Sequence, residues 1–290
     1  MRLVLTLLCR DEEDVIEEMI TFHLSRGVDL VIATDNHSTD STRSILAKHA
    51  SSGSVVLLDE PSHTHDQAPW VTRMARMAAE QFAADWVINA DADEFWWPQS
   101  GNLKSHFSNL SDDVEALSID RFNFLPPSYT TDSQRPFYES MTMREKQSLN
   151  SLGSPLPPKV CHRGLSQISV DDGNHAVRHA GSVISTQAFN DIEILHFPVR
   201  SYQQFERKIR QGAEALLRNQ RIANTGIGST WRQLYQDHLL NGTLESYYLS
   251  LRPTDPALDA LLQGGDLIRD LRLQKALRRL KEHPSDLIPE

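Results

Sequence analysis

The chain has 290 residues, of which 39% are hydrophobic and 23% charged, an ordinary globular composition with enough length for a sizeable core. A net charge of −10 argues against a protein that coats nucleic acid, which needs a basic face. Cys9 and Cys161 supply neither a disulfide framework nor a zinc spacing, and no stretch approaches the roughly eighteen apolar residues of a membrane span, so a reducing, cytoplasmic setting is expected.

Leu3 to Leu8 is a nearly continuous apolar run, the pattern of a strand covered on both faces. It is too short for the roughly seven to fifteen residues of a signal-peptide core. Cys9 to Asp14 is expected to cap and open a helix with acids in its first turn, running to about Ser25 and stopped by Gly27. Leu30 to Ala33 reads as the second strand and Thr34 to Asp40 as a polar loop at its carboxyl end. A helix from Ser41 to His49 and a third strand from Ser54 to Leu58 follow. This βαβαβ alternation predicts a parallel sheet with right-handed crossovers, in which ligands bind at the carboxyl ends of the strands. Asp11, Asp35 and Asp91 all fall at such ends.

Gln67 to Phe82 contains a predicted helix that places Arg73 and Arg76 on one face. Two arginines there can clamp a diphosphate or pair on the surface with Glu80, and the sequence leaves both open. Trp86 to Trp97 is the pivotal stretch: an apolar strand feeds directly into Asp91, Asp93 and Glu94, and then into Phe95, Trp96 and Trp97. Whether the chain stays extended or turns at Ala92, Asp91 and Asp93 can converge. Two such carboxylates repel, and a divalent cation with hard oxygen ligands relieves them while keeping positions for phosphate oxygens. The bland alternative is a solvated acidic turn, disfavoured here by the apolar surface that follows. Trp96 and Trp97 are expected in the core rather than stacked on a sugar.

Ile119 to Phe124 reads as a strand, and Leu125 to Pro158 as a long loop, either a lid over the site or a structural excursion. Asp172-Gly173 suggests a tight hairpin turn within a histidine-bearing stretch. Ile192 to Phe197 is a strand carrying His196 at its end. Ser201 to Asn219 is an amphipathic helix with Lys208 and Arg210 on its polar side, interrupted at Gly212. Trp231 to Leu251 and Pro256 to Arg279 read as further helices, with a solvated basic face at Lys275 to Lys281. The organisation expected is a catalytic domain over 1–215 and a helical C-terminal extension over 216–290.

Taken in order, Cys9-Arg10-Asp11-Glu12, Thr34-Asp35-Asn36-His37-Ser38-Thr39-Asp40, Ala90-Asp91-Ala92-Asp93-Glu94-Phe95, Gly173-Asn174-His175 and His196-Phe197-Pro198-Val199-Arg200-Ser201 resemble the glycosyltransferase family 2-like enzymes of bacteria. The resemblance spans roughly residues 1–215. It implies an α/β GT-A fold, Rossmann-like, with a mostly parallel central sheet flanked by helices. It also implies inverting, hexosyltransferase-type transfer from a UDP- or GDP-linked sugar to a hydroxyl acceptor, as in surface polysaccharide or glycan synthesis, with Mn²⁺ or Mg²⁺. On that likeness Asp35 reads the nucleotide base, Asp11 lies near the nucleoside, Asp91 faces ribose and metal, Asp93 ligates the metal, and His196 is a late third ligand. Asp11 departs from the pattern, since relatives commonly carry Asn there and an acceptor-only carboxylate replaces an amide.

An inverting displacement needs a base for the acceptor hydroxyl, and Asp172, His175 and Glu94 are the candidates. Arg73 or Arg76, with the cation, would stabilise charge on the leaving diphosphate. Two competing readings are an aspartyl-phosphate-type phosphohydrolase, which also places D-x-D at a strand end but wants it after an early strand, and a non-catalytic nucleotide-binding protein on the same fold.

Overall fold

The computed structural model describes residues 1–62, 66–128, 135–149, 154–219 and 225–283. Its strands are β1 (Leu3–Cys9), β2 (Leu30–Asp35), β3 (Val55–Asp59), β4 (Trp86–Asp91), β5 (Glu94–Pro98), β6 (Ala116–Ile119), β7 (Arg121–Asn123), β8 (Met143–Glu145), β9 (Lys159–Arg163), β10 (Ile168–Val170), β11 (Val177–His179), β12 (Ser182–Val183), β13 (Gln187–Ala188), β14 (Ile192–His196) and β15 (Leu267–Arg269). Its helices are α1 (Ile16–Ser25), α2 (Thr42–Ser51), α3 (Gln67–Phe82), α4 (Leu103–Ser108), α5 (Phe137–Ser140), α6 (Tyr202–Arg218), α7 (Ser229–Leu234), α8 (Leu244–Ser250), α9 (Asp255–Gly264) and α10 (Arg272–Glu282).

The central sheet has the order β13-β6-β9-β4-β1-β2-β3. β1 to β4 are mutually parallel, β9 runs antiparallel to both β4 and β6, and β13 runs with β6, so β9 alone is reversed. The fold is therefore α/β with a mostly parallel sheet flanked by helices. β1 shows why its apolar run is unbroken. Leu3, Leu5, Leu7 and Cys9 join the core that holds α1 and α10, while Val4 faces the opposite core with Val71, Met74 and Ala78 of α3. Both faces of the strand are thus out of water, as the period of two demands.

The chain turns at Ala92–Asp93 and leaves the central sheet, and β5 joins a second sheet in the order β5-β14-β7. Phe95 and Trp96 are fully buried there, and Trp97 stacks on Phe22 with ring centroids 5.6 Å apart. His23 locks this layer, its Nδ1 donating to the Met19 carbonyl at 2.8 Å while Nε2 accepts from the Trp96 amide at 3.1 Å.

Six expectations are corrected. Cys9 to Asp14 do not form the first helical turn: α1 begins at Ile16, and Asp11 sits at φ 54, a left-handed bend that aims its carboxylate at the Thr39 loop. The segment 125–158 is not one long loop. Its described part holds α5 and β8, with Phe137, Tyr138, Met141 and Met143 buried; 129–134 and 150–153 lie outside the described residues. Gly212 does not interrupt α6, which runs unbroken past it because Trp231 packs where a side chain would stand, 2.4 Å from an added Cβ. The C-terminal segment is not wholly helical, since β15 pairs antiparallel with β8. The predicted strand at 119–124 divides at Asp120 into β6 and β7, which serve different sheets. Asp172-Gly173 lies in a hairpin, but the β10–β11 connection is a 3₁₀ turn longer than two residues, with Gly173 at φ 80 and Asn174 at φ 60.

Candidate active site

A cavity of about 770 Å³ opens at the carboxyl ends of β1 and β4 and is roofed by α6 and α7. Cys9, Arg10, Glu12, Asn36, Asp91, Asp93, Lys159 and Lys208 line its charged end, with Asp172, His175 and His196. Phe205, Ile209, Trp231, Leu234 and Tyr247, which pack together, line its apolar end.

The turn at Ala92 brings Asp91 and Asp93 to the same cavity, but each has its own lysine. Lys159 donates to Asp91 Oδ2 at 2.6 Å, and Lys208 donates to Asp93 Oδ2 at 2.6 Å. This differs from the expectation of two carboxylates facing one cation. Asp91 Oδ1 also accepts from Gln67 Nε2 at 3.3 Å and Asn174 Nδ2 at 3.4 Å. Burial alone would push both carboxyl groups up. Lys159 outweighs it at Asp91, and Lys208, His196 and Arg200 together hold Asp93 well below the usual carboxylate range.

Glu94 is fully buried beneath this pair and does not line the cavity. Its carboxylate takes Arg121 at 3.3 Å and Lys159 at 3.2 Å and accepts from the Asp91 amide at 3.2 Å, so it orders the turn and is not placed to meet an acceptor hydroxyl. Asp172 and His175 do line the cavity, on either side of Gly173. His175 donates from Nδ1 to the Pro158 carbonyl at 2.8 Å, and burial with the nearby Lys159 lowers its pKa to about 4, so the imidazole is neutral and Nε2 carries a lone pair. The Gly173 backbone lies so close to that ring that an added Cβ would fall 2.6 Å from Cδ2.

Asp11 and Asp35, expected at the nucleoside, are both buried and spent on loop architecture. Asp11 accepts from the Thr39 amide at 2.6 Å and from Gln211 Nε2 at 2.8 Å; Asp35 accepts from Ser38 Oγ at 2.5 Å with Arg43 at 3.8 Å. Neither lines the cavity, whereas Asn36, beside Asp35, does. Arg73 and Arg76 are also outside it, Arg73 lying 3.8 Å from Glu60 and Arg76 donating to the Ile168 carbonyl at 2.6 Å.

Among the described residues the Arg and Lys side chains that do reach the cavity are Arg10, Arg121, Lys159 and Lys208. Arg10 is the one a strand-end reading could have found, because it follows directly on β1. Among the described residues its buried Nε has no hydrogen-bond partner, the Asp11 carboxylate lying 3.9 Å away. Lys159 and Lys208 leave no mark in the sequence, one opening an ordinary strand and the other belonging to a polar helix face.

The donor set accommodates a divalent ion at one point. His196 Nδ1 is held by Asn123 Oδ1 at 2.7 Å, which aims Nε2 at Asp93 Oδ1, 3.6 Å away. Two ligands each about 2.1 Å from a common ion can stand at that separation. Among the described residues no group of three His, Cys, Asp or Glu converges on one point, so the remaining ligands would be water and substrate oxygens.

No protein-family profile matches the chain, and no curated protein matches it. Partial likeness to solved structures exists. The chain is similar to Staphylococcus aureus TarS 1-349 in complex with UDP-GlcNAc, at 12% identity and a TM-score of 0.45, over 83% of this chain and 75% of that one. It is similar to the same TarS fragment in complex with UDP at 14% identity and a TM-score of 0.42, over 83% and 74%. It is also similar to glucosyl-3-phosphoglycerate synthase from Mycobacterium tuberculosis in complex with Mn²⁺, UDP and glucosyl-3-phosphoglycerate, at 20% identity and a TM-score of 0.30, over 42% and 44%. Among the described residues no helix is long and apolar enough to cross a membrane.

Proposed function

We propose that the chain is a GT-A-type glycosyltransferase that moves a sugar from a nucleoside-diphosphate donor to a hydroxyl acceptor, with inversion and with a divalent cation. The observation that carries this reading is the meeting of Asp91, Asp93 and His196 with Arg10, Lys159 and Lys208 in one cavity at the carboxyl ends of parallel strands. Acids alone would repel a diphosphate and bases alone would need no buried carboxylates; the mixture suits a phosphorylated ligand that arrives with a metal ion.

The residues then take distinct parts. Arg10, Lys159 and Lys208 present positive charge where it develops on the departing phosphate, in a site walled by buried side chains where such charge acts strongly. Asn36, just past the end of β2, lines the nucleoside side with its amide nitrogen held by the Ser62 carbonyl at 2.7 Å and the Glu60 carbonyl at 3.3 Å. Asp93 and His196 would hold Mn²⁺ or Mg²⁺, which when bound supplies Lewis-acid stabilisation of the leaving diphosphate. Asp172, which lines the cavity and accepts from the Ala68 amide at 3.2 Å, is the base we assign for the acceptor hydroxyl, because Glu94 is enclosed by its ion pairs and burial beside Lys159 disfavours a charged ring at His175 whereas Asp172 becomes neutral on taking the proton.

The reading is tested by release of UDP or GDP from a panel of nucleotide sugars, with and without Mn²⁺. Metal-dependent release, lost in Asp172→Asn but kept in His175→Gln, is expected. Absence of release together with no thermal stabilisation by any nucleotide sugar overturns it.

A further inference from the structure

The Asp93–Lys208 pair is not needed to seat α6. That helix is fastened to the end of β1 by Arg207, which donates to the Asp11 carbonyl at 2.7 Å, and by Gln211, which donates to the Asp11 carboxylate at 2.8 Å. Lys208 lies between them, keeps 26% of its side chain exposed, and lines the cavity. Its ammonium group bonds the same carboxylate whose other oxygen faces His196 Nε2. Arg200 also approaches Asp93, at 3.8 Å, but it is engaged by Glu12, by both oxygens of Asp14 at 2.8 and 2.9 Å, and by the Phe197 carbonyl at 3.1 Å. Lys208 is therefore the cation able to leave Asp93 for a ligand, its stem being long and flexible.

We propose that Lys208 makes divalent-ion capture conditional on the diphosphate. With no ligand present, a positive charge already sits on the carboxylate that would hold the ion, and a second cation brought beside it is repelled. Once a diphosphate is in the cavity, its oxygens take the Lys208 ammonium and complete the coordination shell, so ion and anion bind together and each raises the other's affinity by the same factor. This rests on the metal site assigned to Asp93 and His196, and on no turnover.

The test uses the full chain, Mn²⁺ as the ion and inorganic pyrophosphate as the anion, with bound Mn²⁺ read by water-proton relaxation enhancement. In the wild type, Mn²⁺ alone is expected to bind at least tenfold more weakly than Mn²⁺ with pyrophosphate. Lys208→Met should bind Mn²⁺ alone at least tenfold more tightly than the wild type and lose most of the pyrophosphate gain. Lys208→Arg, which keeps the charge, should behave as the wild type. Equal or weaker Mn²⁺ binding by Lys208→Met overturns the proposal while leaving the metal site standing. Failure of both proteins to bind Mn²⁺, with or without pyrophosphate, removes the metal site, the metal dependence of the proposed transfer and this proposal together; release of UDP or GDP without metal is assayed separately and tests the transfer itself.

Discussion

Asp93→Asn keeps the shape of the side chain and removes its charge, and the structure says what is left behind. Lys208 at 2.6 Å, His196 at 3.6 Å and Arg200 at 3.8 Å would face a neutral amide in a position only 2% exposed. Removing one partner of a buried ion pair typically destabilises by about 3–5 kcal/mol. Arg200 keeps Glu12 and Asp14, and Lys208 can turn into the cavity, so the cost falls at or below the lower end of that range, about 2–3 kcal/mol. At roughly 2–4 °C per kcal/mol for a chain of this size, the melting temperature should fall by about 4–12 °C. The double variant Asp93→Asn with Lys208→Met should recover part of that loss, because the uncompensated ammonium goes with it. Scanning calorimetry on the wild type, both single variants and the double variant closes the cycle. A melting temperature for Asp93→Asn indistinguishable from wild type, or a double variant as unstable as the sum of the singles, refutes the assignment of Asp93 as the hub of this charge network.

Gly164→Ala should be severe, because its Cβ would fall 1.8 Å from the Ala84 carbonyl oxygen, a backbone atom that cannot rotate away; a loss of about 3 kcal/mol or more is expected in urea denaturation. His23, His162 and His175 each have a pKa lowered to about 4 by burial. The unfolded chain protonates them first, so their stabilising contribution is complete above about pH 6.5 and is lost as pH falls toward 4. Each contributes about 1.4 kcal/mol of loss by pH 5.5, partly offset by the raised Glu12 and Glu145, which act in the opposite sense. Urea midpoints that are equal at pH 7.5 and 5.5 would contradict this. Asn123→Ala frees the His196 ring, and we expect weaker Mn²⁺ binding by about tenfold with little change in melting temperature.

The βαβαβ frame was legible because its strands are apolar runs that can only be covered on both faces, and because Gly27 ends α1 where the hydrophobic pattern stops. The turn at Asp91–Asp93 was legible as an abrupt change from apolar to acidic residues. What the pattern concealed was which way polar groups look. Lys208 falls among the hydrophilic positions of α6, as periodicity requires, but it faces a cavity, while Arg210 stays in bulk water paired with Glu206. Asp11 and Asp35 stand at strand ends as expected, yet a local bond to Ser38 absorbs the Asp35 carboxylate and contacts distant in sequence, to Thr39 and Gln211, absorb that of Asp11, a choice set by the left-handed bend at Asp11 that residue type does not reveal. β15 escaped notice because three residues carry no readable period, and β8 lay in a stretch whose proline, serine and threonine content reads as loop.

The pairing of β15 with β8 and the docking of Leu273, Leu277 and Leu280 onto the α1 core mean that chemistry and biosynthesis run on different clocks. β1, Arg10 and the Asp91–Asp93 turn emerge from the ribosome well before the pieces that cover α1 and secure the middle of the chain. A nascent chain arrested before residue 265 would display the α1 apolar face and an unpaired β8 edge, the surfaces on which holdase chaperones and aggregates act. Ribosome-stalled lengths on either side of β15 should therefore differ sharply in protease resistance.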